Sequence, residues 1–231
     1  MKKLSGIIIV AIITALFFTA ATNSITKKKK GWKGSITYAL SYEGEGITPA
    51  SVASSPKKAV IKVMGNKSAV EIVQGYTIIT IIKNPEFNLS VQLIEVGEKK
   101  FAIKNKLSEE ENDSLRKYDV EVDLVNETKI IAGYECKKAV VTWIPRDTAL
   151  GEEQIFNYYY STELGGENSN EGGQLADIPG MLMEFQQIIG KMIMKYQATE
   201  VKKGGVKEAD FLIPTDYKIV TAEELQKEFS N

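Results

Sequence analysis

Apolar and polar residues alternate along most of the chain, which is the pattern of two-faced β-strands. Over positions 35–43 the apolar residues Ile36, Tyr38, Leu40 and Tyr42 fall on one face, and small residues fall on the other. Similar apolar segments recur with turn residues between them, at the spacing of an antiparallel meander. The predicted strands are 60–64, 69–73, 76–83, 87–94, 100–103, 119–124, 129–131, 134–143 and 154–161.

Two capping boxes predict short helices. Ser108 with Glu111 three residues later predicts a helix to about Tyr118, and Thr221 with Glu224 predicts another to about position 229. The Gly- and Asn-rich run over 165–173 predicts a loop, because it has no apolar side chain to bury.

Over positions 177–196 the hydrophobic pattern fits both a helix and a strand. A helical face fits Met181, Phe185, Ile188, Ile189, Met192 and Tyr196, with Asp177 as its N-cap. The alternative is a strand after a turn at Gly190, in which Met192, Met194 and Tyr196 alternate. The residues alone leave both interpretations open.

The first 21 residues predict a secretory signal peptide. Two lysines precede an uncharged apolar run, and small residues end at Ala21. The alternative is an uncleaved anchor, but the run lies at the short limit for crossing a bilayer of about 30 Å. We expect a cleaved leader over 1–21, a basic flexible tail over 22–33 and one β-rich domain over 34–231, located in the periplasm or outside the cell.

Composition excludes much chemistry. Histidine is absent, so Ser-His-Asp catalysis, Cys-His catalysis and His-ligated zinc are excluded. The formal net charge of −1 gives no basis for binding nucleic acid. Acidic residues lie in solvated runs such as 109–111, which define no opposed carboxylate pair of the glycosidase kind. We predict no catalytic residue, no metal site, no cofactor and no nucleic-acid partner.

Three further sets of residues are interpreted as core. The single cysteine, Cys136, has two lysines after it that would lower a thiol pKa, yet a lone cysteine is usually a small packed residue. The aromatic stripe Phe156, Tyr158 and Tyr160 would stack sugars or bases if it were exposed, but the preferred interpretation is a core-facing stripe. Methionines near 181–194 suit either an irregular core or an apolar ligand site.

Four segments in the second half resemble one family. They read KIIAGYECKKA at 129–139, YYYSTEL at 158–164, GKMIMKY at 190–196 and FLIPTDYK at 211–218. Together they resemble an uncharacterised family of exported bacterial β-rich proteins, similar in outline to the LolA and LolB lipoprotein carriers. The resemblance implies a strand over 192–201 and a non-enzymatic role. The chain has only Arg116 and Arg146, so the buried arginine of LolA-type carriers has no assigned counterpart.

The predicted fold class is therefore mainly β (α+β): one large curved antiparallel sheet or half-barrel with one or two short helices, LolA-like. Its concave face would take a lipid or another apolar ligand. The predicted lining residues are Ile36, Tyr38, Leu40, Tyr42, Met192, Met194 and Tyr196. The alternative is a protein-interaction or stress-sensing envelope module that docks a partner along a sheet edge or the 165–173 loop. Peripheral membrane contact through the basic tail is also expected, and a carboxylate hydrolase is the least favoured hypothesis.

Overall fold

The computed structural model describes residues 31–106, 116–165, 170 and 173–230. Within them the chain forms twelve strands and two short α-helices. The strands are β1 (Lys33–Gly44), β2 (Lys58–Met64), β3 (Lys67–Gln74), β4 (Thr77–Asn84), β5 (Leu89–Val96), β6 (Lys99–Lys106), β7 (Tyr118–Ile131), β8 (Tyr134–Pro145), β9 (Gln154–Ser161), β10 (Met181–Ile189), β11 (Met192–Lys203) and β12 (Lys218–Ile219). The helices are α1 (Pro49–Ser54) and α2 (Ala222–Ser230).

All twelve strands belong to one open sheet, in the order β12-β6-β5-β4-β3-β2-β1-β11-β10-β9-β8-β7. Strands β1 to β6 form one antiparallel meander and β7 to β11 form a second. The two meanders join where β1 pairs antiparallel with β11. Only the two-residue β12 runs parallel to its neighbour, β6, among the described strands. The predicted mainly β class, with a large sheet and short helices, is confirmed.

Hairpin geometry follows from residues that tolerate positive φ. At the β7–β8 turn Ala132 has φ +50° and Gly133 has φ +84°. Two consecutive positive values match the type I′ turn, whose twist fits the twist of the flanking strands. The strands to either side therefore pair without a longer loop.

One face of the sheet, which we call the inner face, carries most of the main core. Buried side chains from β2 to β5 and from β8 to β11 belong to a single cluster, which at β9 includes the adjacent residues Tyr158, Tyr159 and Tyr160 and so extends to both faces. Along β1 the inner face carries the alternating residues predicted from the sequence, with Ile36 and Tyr38 completely buried. Burial of such side chains contributes about 25 cal/mol per Å² of apolar area.

The C-terminal part of the chain crosses the opposite, outer face. We call residues 204–217 the strap. Phe211 of the strap is fully buried in a second cluster against β3 to β6. Ion pairs attach the strap to the sheet, with Lys62 Nζ 2.7 Å from Asp210 and Lys67 Nζ 2.7 Å from Glu208. After β12 the helix α2 reaches the inner side of β6, where Phe229 meets Phe101 edge-on at 5.7 Å.

The structure shows which interpretation of positions 177–196 is correct. Residues 181–189 form strand β10 and residues 192–203 form strand β11, so the helical interpretation is wrong and the strand is confirmed. The second capping box is confirmed at α2, where Thr221 Oγ1 accepts from the Glu224 amide at 3.2 Å. The first predicted helix, over 108–118, lies largely outside the described residues, as does most of the 165–173 loop.

Candidate functional site

The pairing of β1 with β11 brings the seven predicted lining residues together. Leu40 lies opposite Tyr196, and Tyr42 lies opposite Met194. Directly opposed residues of an antiparallel pair project to the same face. All seven residues therefore lie on the inner face, and we call them the inner-face set: Ile36, Tyr38, Leu40, Tyr42, Met192, Met194 and Tyr196.

Burial divides the inner-face set into two parts. Ile36, Tyr38 and Tyr196 are fully buried, and Met194 is 2% exposed. Tyr42 and Met192 are half-buried, at the end of the sheet where β1 finishes and β11 begins. The set thus has a packed interior and one accessible end.

An aromatic cluster fills the packed part. The rings of Phe185 and Tyr196 stack at 4.5 Å with an interplanar angle of 5°. Tyr38 meets Phe185 edge-on at 5.7 Å and Tyr196 at 6.1 Å. Phe185 was not among the predicted lining residues, because periodicity also placed it on a helix. Its position opposite Tyr196 in the β10–β11 ladder is what adds it to the site.

Tyr158 also belongs to this cluster, with its ring 6.2 Å from that of Phe185. The buried hydroxyl groups of the cluster are all hydrogen-bonded, as buried polar groups generally must be. Tyr38 donates to the Leu182 carbonyl at 2.7 Å, next to a register shift between Leu182 and Glu184 in the β9–β10 pairing. Tyr158 donates to the Gln186 carbonyl at 2.5 Å, and Tyr196 donates to the Gln187 side chain at 3.1 Å. Burial raises the pKa of each of these tyrosines well above its ordinary value.

The loop that carries α1 lies beside the accessible end. The hydroxyl of Tyr42 donates to the Pro56 carbonyl at 2.7 Å. Gln74 of β3 donates to the Ser54 carbonyl at 3.0 Å, which attaches the end of α1 to the neighbouring strand. Thr48 caps α1 by accepting from the Ser51 amide at 3.1 Å. Polar contacts hold α1 in place, since α1 itself has no buried residue, and the loop is buried at Pro56 just after it.

A polar row lies toward the other end of the inner face. Ser68, Lys83 and Ser90 are opposed across β3, β4 and β5, and they are only 3%, 6% and 3% exposed. Sequence reasoning missed this row. The available indication was the position of Lys83, which shares the inner register of Ile79 and Ile81 at the end of a β-branched strand.

The remaining candidates pack in the core. Cys136 is fully buried, and burial raises the pKa of its thiol to about 11, so the neighbouring lysines do not activate it. Tyr158 and Tyr160 of the aromatic stripe are buried, and Phe156 is half-buried. Within the described ranges no three His, Cys, Asp or Glu side chains lie close enough to hold a metal ion. No helix among those residues is long and apolar enough to span a membrane.

Comparisons with known proteins give a distant structural likeness. No family model matches the chain, and no curated protein matches it in sequence. A solved structure of PNGF-II in space group P21 has a TM-score of 0.47 and 16% identity, covering 87% of this chain and 34% of that one. The same protein in space group C2 has a TM-score of 0.46 and 14% identity, with coverage of 86% and 33%. The chain thus spans about a third of the length of PNGF-II, and its function must be inferred from its own site.

Proposed function

We propose that the protein is an exported, non-enzymatic envelope protein that binds a lipid or another apolar ligand on the inner face of its sheet. The observation that carries the proposal is the arrangement of the inner-face set. Its seven apolar and aromatic residues share one face across the β1–β11 ladder, and Tyr42 and Met192 stay half-buried at one end. The LolA-like outline and the cleaved leader remain parts of this proposal.

The chemistry of the accessible end suits an acyl chain. Met192 is unbranched and polarizable, and such side chains adapt to irregular apolar ligands. The Tyr42 ring offers an apolar surface, while its hydroxyl is already satisfied by Pro56. Each methylene that leaves water contributes about 0.8 kcal/mol, so a chain of a few carbons supplies useful affinity.

Neighbouring positions on β11 provide a matched test. Met192 lies opposite Gly44 and belongs to the inner-face set, whereas Ile193 lies opposite Glu43 and projects to the outer face. Both side chains are half-buried. Met192→Glu and Ile193→Glu therefore introduce the same charge at similar exposure on opposite faces.

The first measurement is native mass spectrometry of the protein purified without detergent from its own envelope. We expect a mass without residues 1–21 and with a lipid-sized adduct.

A fluorescent fatty acid then serves as a probe of affinity. Met192→Glu should weaken its binding at least about tenfold, because a charge would have to be desolvated, and Ile193→Glu should not. Equal affinity of the two variants, with both folded by circular dichroism, would show that the ligand does not use this face.

A further inference from the structure

Strand β7 forms one edge of the sheet. It is 14 residues long, and among the described strands it pairs on one side only, with β8. The pairing is regular from Tyr118 to Val125 and is then interrupted by a register shift before Thr128. A long edge of this kind offers unpaired backbone groups to another strand.

Two hydrogen bonds define which residues of β7 face the open edge. The Lys117 carbonyl accepts from the Arg146 amide, at the end of β8, at 2.9 Å. The next carbonyl, that of Tyr118, accepts from the Gln174 side chain at 2.5 Å instead. Hydrogen-bonding direction alternates along an antiparallel strand. The backbone groups of Val120, Val122 and Leu124 therefore face the open edge.

Acidic and apolar side chains of the same stretch lie on opposite faces of β7. Asp119, Glu121 and Asp123 occupy one face in a row, and all three are exposed. Arg146 pairs with Asp119 at 2.5 Å. Glu121 and Asp123 lie opposite the uncharged Thr142 and Val140 of β8, and neither forms an ion pair with any residue in the described part of the chain.

The other face of β7 is apolar. Val120 and Val122 pack against the main core, and Leu124 is 53% exposed. A strand added to β7 would extend both faces, so its side chains must match them. Opposed side chains of antiparallel strands share a face, and opposite charges there contribute about 0.2–1 kcal/mol per pair.

We infer that the β7 edge is a docking site for an extended basic segment of a partner protein, in which Lys or Arg alternates with apolar residues. The segment adds as an antiparallel strand over Val120–Leu124. Its apolar side chains extend the inner face beside Val122, and its basic side chains lie beside Glu121 and Asp123. This site is independent of the proposed apolar ligand, because β7 lies five strands from β1 in the sheet.

A blocked peptide of three Lys-Val repeats is the probe, and one of three Glu-Val repeats is its control. Fluorescence anisotropy with the purified protein should detect binding of the first peptide only. The double variant Glu121→Lys/Asp123→Lys should weaken that binding at least about tenfold, the equivalent of 1.4 kcal/mol. The control double variant Glu98→Lys/Glu153→Lys makes the same charge change in exposed loops and should leave affinity unchanged.

Two further measurements test the backbone contribution. Bound Lys-Val peptide should slow amide hydrogen exchange at Val120, Val122 and Leu124. Leu124→Pro removes one edge donor without touching the β8 ladder, a change that edge strands tolerate, and should weaken binding. Unchanged exchange, equal binding of both peptides, or insensitivity to Glu121→Lys/Asp123→Lys would overturn the inference. So would a dimer of the free protein that the same double variant dissociates, since a second copy would then occupy the edge.

Discussion

The hydroxyl of Tyr38 provides a sharp test of the packed part of the site. Tyr38 is fully buried, and its hydroxyl donates to the Leu182 carbonyl at 2.7 Å, 144 residues away in sequence. Tyr38→Phe keeps the ring and its edge-on contacts with Phe185 and Tyr196, and it removes only the hydrogen bond. The change therefore isolates one polar contact within an otherwise unaltered aromatic cluster.

The expected cost follows from the burial of the two groups. Leaving a buried acceptor without its donor costs about 1–3 kcal/mol, so we expect a loss of about 2 kcal/mol in the free energy of unfolding. With a urea m value of about 2.5 kcal/mol/M, the midpoint of urea unfolding should fall by about 0.8 M. The m value should stay the same, because the variant exposes the same surface on unfolding.

Tyr42→Phe is the matched control. Its hydroxyl makes a bond of the same 2.7 Å length, to the Pro56 carbonyl, but Tyr42 is half-buried. Water can replace part of that bond, so the loss should stay below about 1 kcal/mol. Both variants are compared by urea denaturation followed by circular dichroism. Equal midpoint shifts for the two variants would refute the reasoning that burial sets the cost at Tyr38.

Three other predictions concern stability and reactivity. Gly180→Ala should destabilise the fold by about 2–4 kcal/mol in urea denaturation, because φ is +94° and a Cβ would overlap the Ser161 carbonyl. The control Gly75→Ala, at φ +59° in open space, should cost only about 1–2 kcal/mol. The free energy of unfolding should fall as pH rises above about 10, by about 1.4 kcal/mol per pH unit for each buried tyrosine. The reason is that tyrosines of the unfolded chain ionise there, while burial raises the tyrosine pKa in the folded state. Tyrosinate absorbance that is complete before the protein unfolds would contradict this. Cys136, with its thiol pKa raised to about 11, should react with a thiol reagent only as fast as the protein opens, and rapid labelling of the native protein would exclude its burial.

Alternation predicted most of the strands because their two faces meet different environments. It failed at β10, where Met181 to Phe185 are all buried and only Glu184 and Gln186 mark an outer side with polar residues. Buried segments such as Leu164 and Ile178 lie next to this strand, and the Met181 amide donates to the Leu164 carbonyl at 3.1 Å. A strand that is covered on both faces loses its period of two, so the helix and strand patterns become equally acceptable.

The strap could not be predicted for a different reason. Its position depends on contacts far along the chain, such as Lys62 with Asp210 and Asn84 Nδ2 with the Phe211 carbonyl at 3.3 Å. Irregular segments have no hydrophobic periodicity from which such contacts could be predicted. The two strands predicted over 119–131 likewise proved to be one, since β7 continues past Val125 through a register shift that adds Asn126 and Glu127. A bulge changes the alternation without ending the strand.

The inner-face set depends both on the local alternation of residues and on a long-range strand pairing. Alternation placed Ile36 to Tyr42 on one face of β1, and the family resemblance favoured a strand that carries Met192, Met194 and Tyr196. What put the two groups side by side is the β1–β11 pairing, which joins residues about 150 positions apart. Because that ladder also joins the two meanders, neither meander alone can present the complete face. Formation of the candidate site therefore depends on a slow kind of contact, a long-range strand pairing. Variants that weaken the β1–β11 ladder should lose the site before they lose the local hairpins.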